Sequence, residues 1–213
     1  MIKITVDNRD IEVLEGQILL DVCLENGIYI PNLCYIKDMK DPPSSCRLCF
    51  VEIEGHNAPV ASCSVRVREG MVVKTDTAAV RRLQLTALGL LLSRHHVECA
   101  KCPANKKCEL QRIAKFLKTG LKQKQFDKYL KEEEVDDSHP CLLYFPNRCV
   151  LCGRCIYVCE KKNSRPAMTF AGRGLDTIIS FYGEKDNADL SCEDCLACVE
   201  VCPVAALSRK EQS

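Results

Sequence analysis

The sequence predicts an α+β chain divided into several small domains with thin apolar cores, and three observations carry that prediction. Alternating apolar and polar residues open the chain, 17 cysteines among 213 residues fall in separate clusters, and one cysteine motif occurs twice. A chain of this length has room for one or two ordinary domains. Clusters of thiols in so short a chain point to smaller units, each organised around bound metal.

A disulfide framework is the competing explanation, since cysteine this abundant marks small secreted scaffolds. MIKITVDNRD at the start has neither an apolar h-region nor a small-residue cleavage site, and 17 is an odd number. A reducing, cytoplasmic setting is therefore expected. No stretch approaches the roughly 18 apolar residues of a membrane span. The formal charge of +1 counts the cysteines as neutral thiols, whereas metal ligands are thiolates. That charge says nothing in favour of nucleic acid as a partner, and no basic run is interleaved with aromatics.

IKITVD and DIEVLE flank the turn-forming DNRD and predict a β-hairpin on a half-buried sheet. In GQILLDVCLENG, Ile18, Leu19, Val22 and Cys23 share one helical face, and Asn26-Gly27 supplies a left-handed C-cap. FVEIEG, PVASCSV and MVVKT add strand-like pieces. A longer amphipathic helix follows in TDTAAVRRLQLTALGLLLSRHH, with Thr75, Asp76 or Thr77 as N-cap and a buried stripe through Val80, Leu83, Ala87 and Leu91. The charged run KTGLKQKQFDKYLKEEEVDDSHP is expected as a solvated helix or connection.

CVLCGRCIYVCE, beginning at Cys149, and CEDCLACVEVCP, beginning at Cys192, lie 43 residues apart and share gaps of two, two and three residues. That is the duplication of a ferredoxin with a long insertion between its halves. Three thiolates at every third residue wrap one face of a [4Fe–4S] cluster, and the fourth reaches the other cluster. The expected sets are therefore Cys149, Cys152, Cys155 with Cys202, and Cys192, Cys195, Cys198 with Cys159. Structural zinc uses paired C-x2-C knuckles, not triplets. Pro203 follows Cys202 as the ferredoxin pattern requires, while Glu160 stands after Cys159.

Upstream, Cys34, Cys46, Cys49 and Cys63 bring one C-x2-C pair against two distant ligands, a set for a [2Fe–2S] cluster. Structural zinc could use the same four sulfurs. Between these groups, HHVECAKCPANKKC gives H-x3-C-x2-C-x5-C from His95, Cys99, Cys102 and Cys108. His95 stands one turn before three cysteines that otherwise lack a fourth ligand, so it is expected to bind a third [4Fe–4S] cluster. An imidazole in place of a thiolate makes such a site less negative and raises its potential. His96 is offset from the pattern and expected at the surface. Cys23 is expected as a buried inert thiol, and Cys141, beside Pro140, has no role legible from its surroundings.

Taken in order, these constellations resemble the N-terminal region of the large iron–sulfur subunit of respiratory complex I, and the corresponding region of [FeFe] hydrogenases and NAD-dependent formate dehydrogenases. The chain stops eleven residues after Cys202, which leaves no room for the large catalytic domains of those relatives. At this length it is similar to the small diaphorase-linked subunit of soluble NAD(P)-reducing [NiFe] hydrogenases, electron-bifurcating ones included. The resemblance implies a β-grasp [2Fe–2S] ferredoxin domain over 1–76 and a small helical [4Fe–4S] domain with one histidine and three cysteine ligands over 77–118. A charged connector over 119–139 and a two-[4Fe–4S] bacterial ferredoxin-like domain over 140–213 complete the expected order. The resemblance also implies a hetero-oligomer with a flavin- and NAD(P)-binding diaphorase subunit and hydrogenase small and large subunits.

No Gly-rich dinucleotide loop and no recognisable acid–base motif is present, so the chain is expected to have no active site of its own. Its expected role is to relay single electrons between the active sites of partners. The same relay in a formate dehydrogenase, a bifurcating transhydrogenase or a complex I-like enzyme is the alternative, as is a free ferredoxin-like carrier or redox sensor.

Overall fold

The structure is a computed structural model that describes residues 1–37, 39–163, 167–182 and 192–210, and of 193 and 194 the backbone alone. Residues 1–90 with 113–119 make one compact unit, and 91–112 with 120–213 make a second.

In the first unit, β1 (Ile2–Val6) and β2 (Arg9–Val13) pair antiparallel around Asp7 and Asn8. Both turn residues take positive φ, 48° and 65°, which suits the two-residue connection favoured by strand twist and is tolerated by Asp and Asn. The alternation puts Ile4, Val6, Ile11 and Val13 in the core. With β3 (Phe50–Ile53), β4 (Val60–Ala61) and β5 (Val72–Lys74), the sheet runs in the order β2-β1-β5-β3-β4. β1 and β5 are parallel, and the other neighbours are antiparallel.

α1 (Leu19–Glu25) ends as its sequence predicts. The Ile28 N–H donates to the Cys23 carbonyl at 2.8 Å and the Gly27 N–H to that of Leu24 at 3.2 Å, with Gly27 at φ +73°, the paired closure that glycine permits. Its buried residues are Leu19, Leu20, Val22 and Cys23. Ile18, expected on that face, is only half-buried, because it precedes the helix and bridges to Arg66.

α2 (Ala78–Ser93) starts at Thr77, whose Oγ1 accepts from the Val80 N–H at 3.2 Å. Its buried residues include Val80, Gln84, Ala87, Leu88 and Leu92, while Leu83 and Leu91 are half-buried. The buried face is therefore displaced from the apolar stripe that the sequence suggests. Gln84 occupies it by donating its side-chain amide to the Phe50 carbonyl at 3.2 Å, which offsets part of the cost of burying a polar group, its Oε1 being buried without a partner.

In the second unit, β6 (Leu142–Tyr144) pairs antiparallel with β9 (Leu207–Arg209), bringing residues before the first cysteine repeat beside those after the second. The insertion between the repeats carries the hairpin of β7 (Met168–Ala171) and β8 (Ile178–Phe181). Residues 120–139 contain no helix and run as a connection tied to this unit. The Lys131 N–H donates to Asn147 Oδ1 at 2.6 Å, Asn147 Nδ2 donates to the Lys131 carbonyl at 3.0 Å, and Asp136 and Tyr144 exchange both backbone hydrogen bonds.

Candidate iron–sulfur sites

Cys34, Cys46, Cys49 and Cys63 are all buried within the first unit. The Cys34 and Cys46 sulfurs stand 3.5 Å apart. The proton is shared unevenly within each of the pairs Cys34–Cys46 and Cys49–Cys63: the neighbouring thiol holds Cys34 and Cys63 below the ordinary thiol range, and Cys46 and Cys49 are pushed up. Two of the four sulfurs are thus already disposed to be thiolates, the form that binds metal. Ser44 and Arg47 adopt left-handed φ of 49° and 52° in the loop that carries Cys46 and Cys49. Ser44 Oγ lies 3.2 Å from Cys63 Sγ, and against a thiolate the hydroxyl must be the donor.

His95, Cys99, Cys102 and Cys108 line one cavity of about 190 Å³ in the second unit. His95 is buried, and burial lowers its pKa, so the ring is neutral. Its Nδ1 lies 2.8 Å from the Arg148 carbonyl. A carbonyl only accepts, so Nδ1 carries the proton and Nε2 keeps its lone pair, the tautomer of a metal-binding histidine. Cys108 precedes α3 (Glu109–Phe116), and burial, the larger effect, raises its pKa against the N–H groups of Gln111 and Leu110. Those groups favour the thiolate. His96 is exposed at the rim of the cavity, and its N–H donates to the Asn147 carbonyl at 2.7 Å.

The cysteines of the two repeats surround two separate spaces. Cys149, Cys152 and Cys155 line one space with Cys202, and Cys192, Cys195 and Cys198 line another with Cys159. α4 (Arg154–Lys162) carries Cys155 to one space and Cys159 to the other, α5 (Cys192–Cys195) carries two thiols of the second, and α6 (Ala197–Glu200) carries Cys198. Burial pushes Cys152 and Cys198 up to about 12, so bound metal is what would hold them as thiolates. Backbone N–H groups aim at the sulfurs: Leu151 at Cys149 (3.4 Å), Ala206 at Cys202 (3.1 Å) and Ala167 at Cys159 (3.2 Å).

Left-handed residues that motif spacing does not reveal sit among these ligands. Leu151 has φ 52°, Gly153 and Leu196 have φ 74° and 40°, and the last two occupy the same position in the two repeats, immediately before α4 and α6. Cys141 has no motif but lies near Cys192, whose pKa is raised by burial foremost and then by Cys141. Cys23 is fully buried and pushed up to about 12 by burial, an inert thiol. Among the described residues no three His, Cys, Asp or Glu converge on a single ion; the thiols of the second unit surround spaces. The residues present fit iron–sulfur clusters on donor chemistry, with soft sulfur, one neutral imidazole and N–H groups turned to the sulfurs.

Three families match along the chain: a 2Fe-2S iron-sulfur cluster binding domain over 1–78, the NADH-ubiquinone oxidoreductase-G iron-sulfur binding region over 84–120, and the ferredoxin-like domain of NADH-quinone oxidoreductase subunit 3 over 140–208. The gamma subunit of the NAD-reducing hydrogenase HoxS of Cupriavidus necator is 30% identical over 98% of this chain and 87% of that one. The chain belongs to the NAD-reducing hydrogenase gamma-subunit family. A solved chain from a crystal structure of an NAD+-reducing [NiFe]-hydrogenase in the H2-reduced state superimposes with a TM-score of 0.86 at 30% identity, over 100% of this chain and 88% of that one. The gamma-subunit family is in turn homologous to part of longer proteins. The NADH-ubiquinone oxidoreductase 75 kDa subunit of Reclinomonas americana is 32% identical over 99% of this chain, which spans 30% of its length. Of other curated relatives the chain spans about a quarter, 24%. As in the family, 2Fe–2S and 4Fe–4S binding domains follow one another in a single chain. Among the described residues no helix is long and apolar enough to cross a membrane.

Proposed function

We propose that this chain is an electron-transfer subunit that holds one [2Fe–2S] and three [4Fe–4S] clusters and connects a flavin- and NAD(P)-binding partner to the catalytic subunits of a hydrogenase. Its four segments are a β-grasp [2Fe–2S] domain over 1–76, a helical domain with one histidine and three cysteine ligands over 77–118, a connector over 119–139 and a two-cluster ferredoxin-like domain over 140–213. Each cluster, when bound, takes up and returns one electron. The ligands are Cys34, Cys46, Cys49 and Cys63 for [2Fe–2S]; His95, Cys99, Cys102 and Cys108 for the first [4Fe–4S]; and the two crossed sets of the repeats for the others. The observation that supports this most is the crossing itself, with Cys202 joining the first repeat and Cys159 the second around separate spaces. The protein's own contribution is to orient thiolates, to turn N–H groups towards them and to keep water from the sulfurs.

Anaerobic purification of the native protein tests the proposal. About fourteen irons per chain are expected, two for the smallest cluster and four for each of the others, together with a co-purifying flavoprotein and nickel. Far fewer irons, or recovery only as a monomer, would refute it.

Changing His95 to Cys is expected to lower the midpoint potential of one low-temperature EPR signal, because a thiolate adds negative charge where a neutral imidazole stood. An unchanged redox titration removes His95 from the ligand set.

A further inference from the structure

Tyr144 is a residue of the second unit whose burial beside the first repeat no motif explains. Its side chain is 1% exposed and lines the same space as Cys149, Cys152, Cys155 and Cys202. The strand pairing with Leu207 and the backbone exchange with Asp136 fix its main chain, and the Phe181 ring meets its ring edge-on, 84° between planes. The Ile179 N–H donates to its hydroxyl oxygen at 3.2 Å. That bond occupies a lone pair and leaves the hydroxyl proton to find an acceptor, because a buried O–H without one is costly. The acceptors that line the same space are the four cysteine sulfurs, and Cys149 is the one nearest to Tyr144 along the chain. A phenol keeps its proton at neutral pH.

We propose that Tyr144 is a positioning residue that acts through Cys149, donating its hydroxyl proton to the thiolate and so raising the reduction potential of the cluster bound by Cys149, Cys152, Cys155 and Cys202. The inference rests on the ligand assignment proposed above. Reduction places an additional negative charge on the cluster, part of it on the thiolates, and a donor aimed at sulfur stabilises that more negative state. The duplication gives a built-in control. At the same offset before the second repeat, five residues ahead of Cys192, the sequence has Asn187, which lies outside the described residues and cannot offer a phenolic donor.

Tyr144→Phe in the full complex removes the donor and keeps the ring. EPR-monitored redox titration is expected to show one [4Fe–4S] signal whose reduced-to-oxidised ratio at fixed poise falls about tenfold, about 59 mV downward for a one-electron couple, with the other three signals in place and iron content unchanged. Site-specific fluorotyrosine at 144, a stronger donor in the same ring, is expected to move that signal upward. Full iron with an unmoved midpoint in either variant overturns the inference while leaving the ligand assignment standing. Persistence of every signal in Cys149→Ser overturns both.

Discussion

Serine at position 46 is expected to cost the chain about two of the fourteen irons proposed for it, to erase the [2Fe–2S] absorption and EPR signal, and to leave the signals of the C-terminal repeats intact. Cys46 is buried with its sulfur 3.5 Å from that of Cys34. The alcohol of serine is a harder, less acidic ligand than a thiol, and it is shorter, so an iron held there loses a quarter of the four-sulfur set and gains a poorly placed oxygen. The effect is confined because the four sets share no residue, and every member of this one lies in the first unit. Iron analysis with visible and EPR spectra of the variant checks both halves. Survival of all four signals would show the set to be wrongly assigned, and loss of the C-terminal signals as well would show that the units do not load independently.

Stripping iron from the wild-type protein is expected to unfold the C-terminal repeats while the N-terminal sheet survives. The sheet unit keeps a continuous apolar core in Ile4, Val6, Leu19, Leu20, Leu48, Val51, Val73, Val80 and Leu88. The repeats offer less, chiefly Leu142, Tyr144, Val150, Met168, Ile179, Val204, Ala206 and Leu207, and their inward-facing thiols need something to hold them together. A cluster joining Cys149 to Cys202 closes a loop of about fifty residues, worth roughly 4 kcal/mol in chain entropy. Removing that link alone raises the opening equilibrium about a thousandfold. Hydrogen exchange with and without iron is the measurement. Protection in β6, β9 and α4 should collapse on removal, and that in β1, β2 and α1 should persist; equal loss throughout would contradict the difference in cores.

Much of this was legible in the sequence because cysteine spacing is itself a statement of geometry. Gaps of two, two and three residues lead one to expect Cys159 and Cys202 across the repeats, and each lines a space with the cysteines of the other repeat. Asp7-Asn8 and Asn26-Gly27 marked the hairpin and the helix end, because few residues accept the left-handed conformation those positions impose. The buried face of α2 was harder to read. Gln84 is buried and Leu83 only half-buried, since a polar side chain with a carbonyl to bond can displace an apolar one. Nor was the connector's lack of helix visible, because its Lys and Glu residues are good helix formers until tertiary hydrogen bonds from Lys131 and Asp136 hold the chain extended. The left-handed leucines Leu151 and Leu196 gave no signal at all. Leucine at positive φ costs about 1–2 kcal/mol, and nothing in its chemistry advertises the position; at Leu151 the reason is its N–H directed at the Cys149 sulfur.

The carbonyl that orients the His95 ring belongs to Arg148, forty residues beyond the last thiol of its own set at Cys108. During synthesis the ribosome therefore delivers every ligand of that set well before the group that fixes which ring nitrogen faces inward. The aim of that ring thus depends on a stretch of chain made only after the whole of its motif.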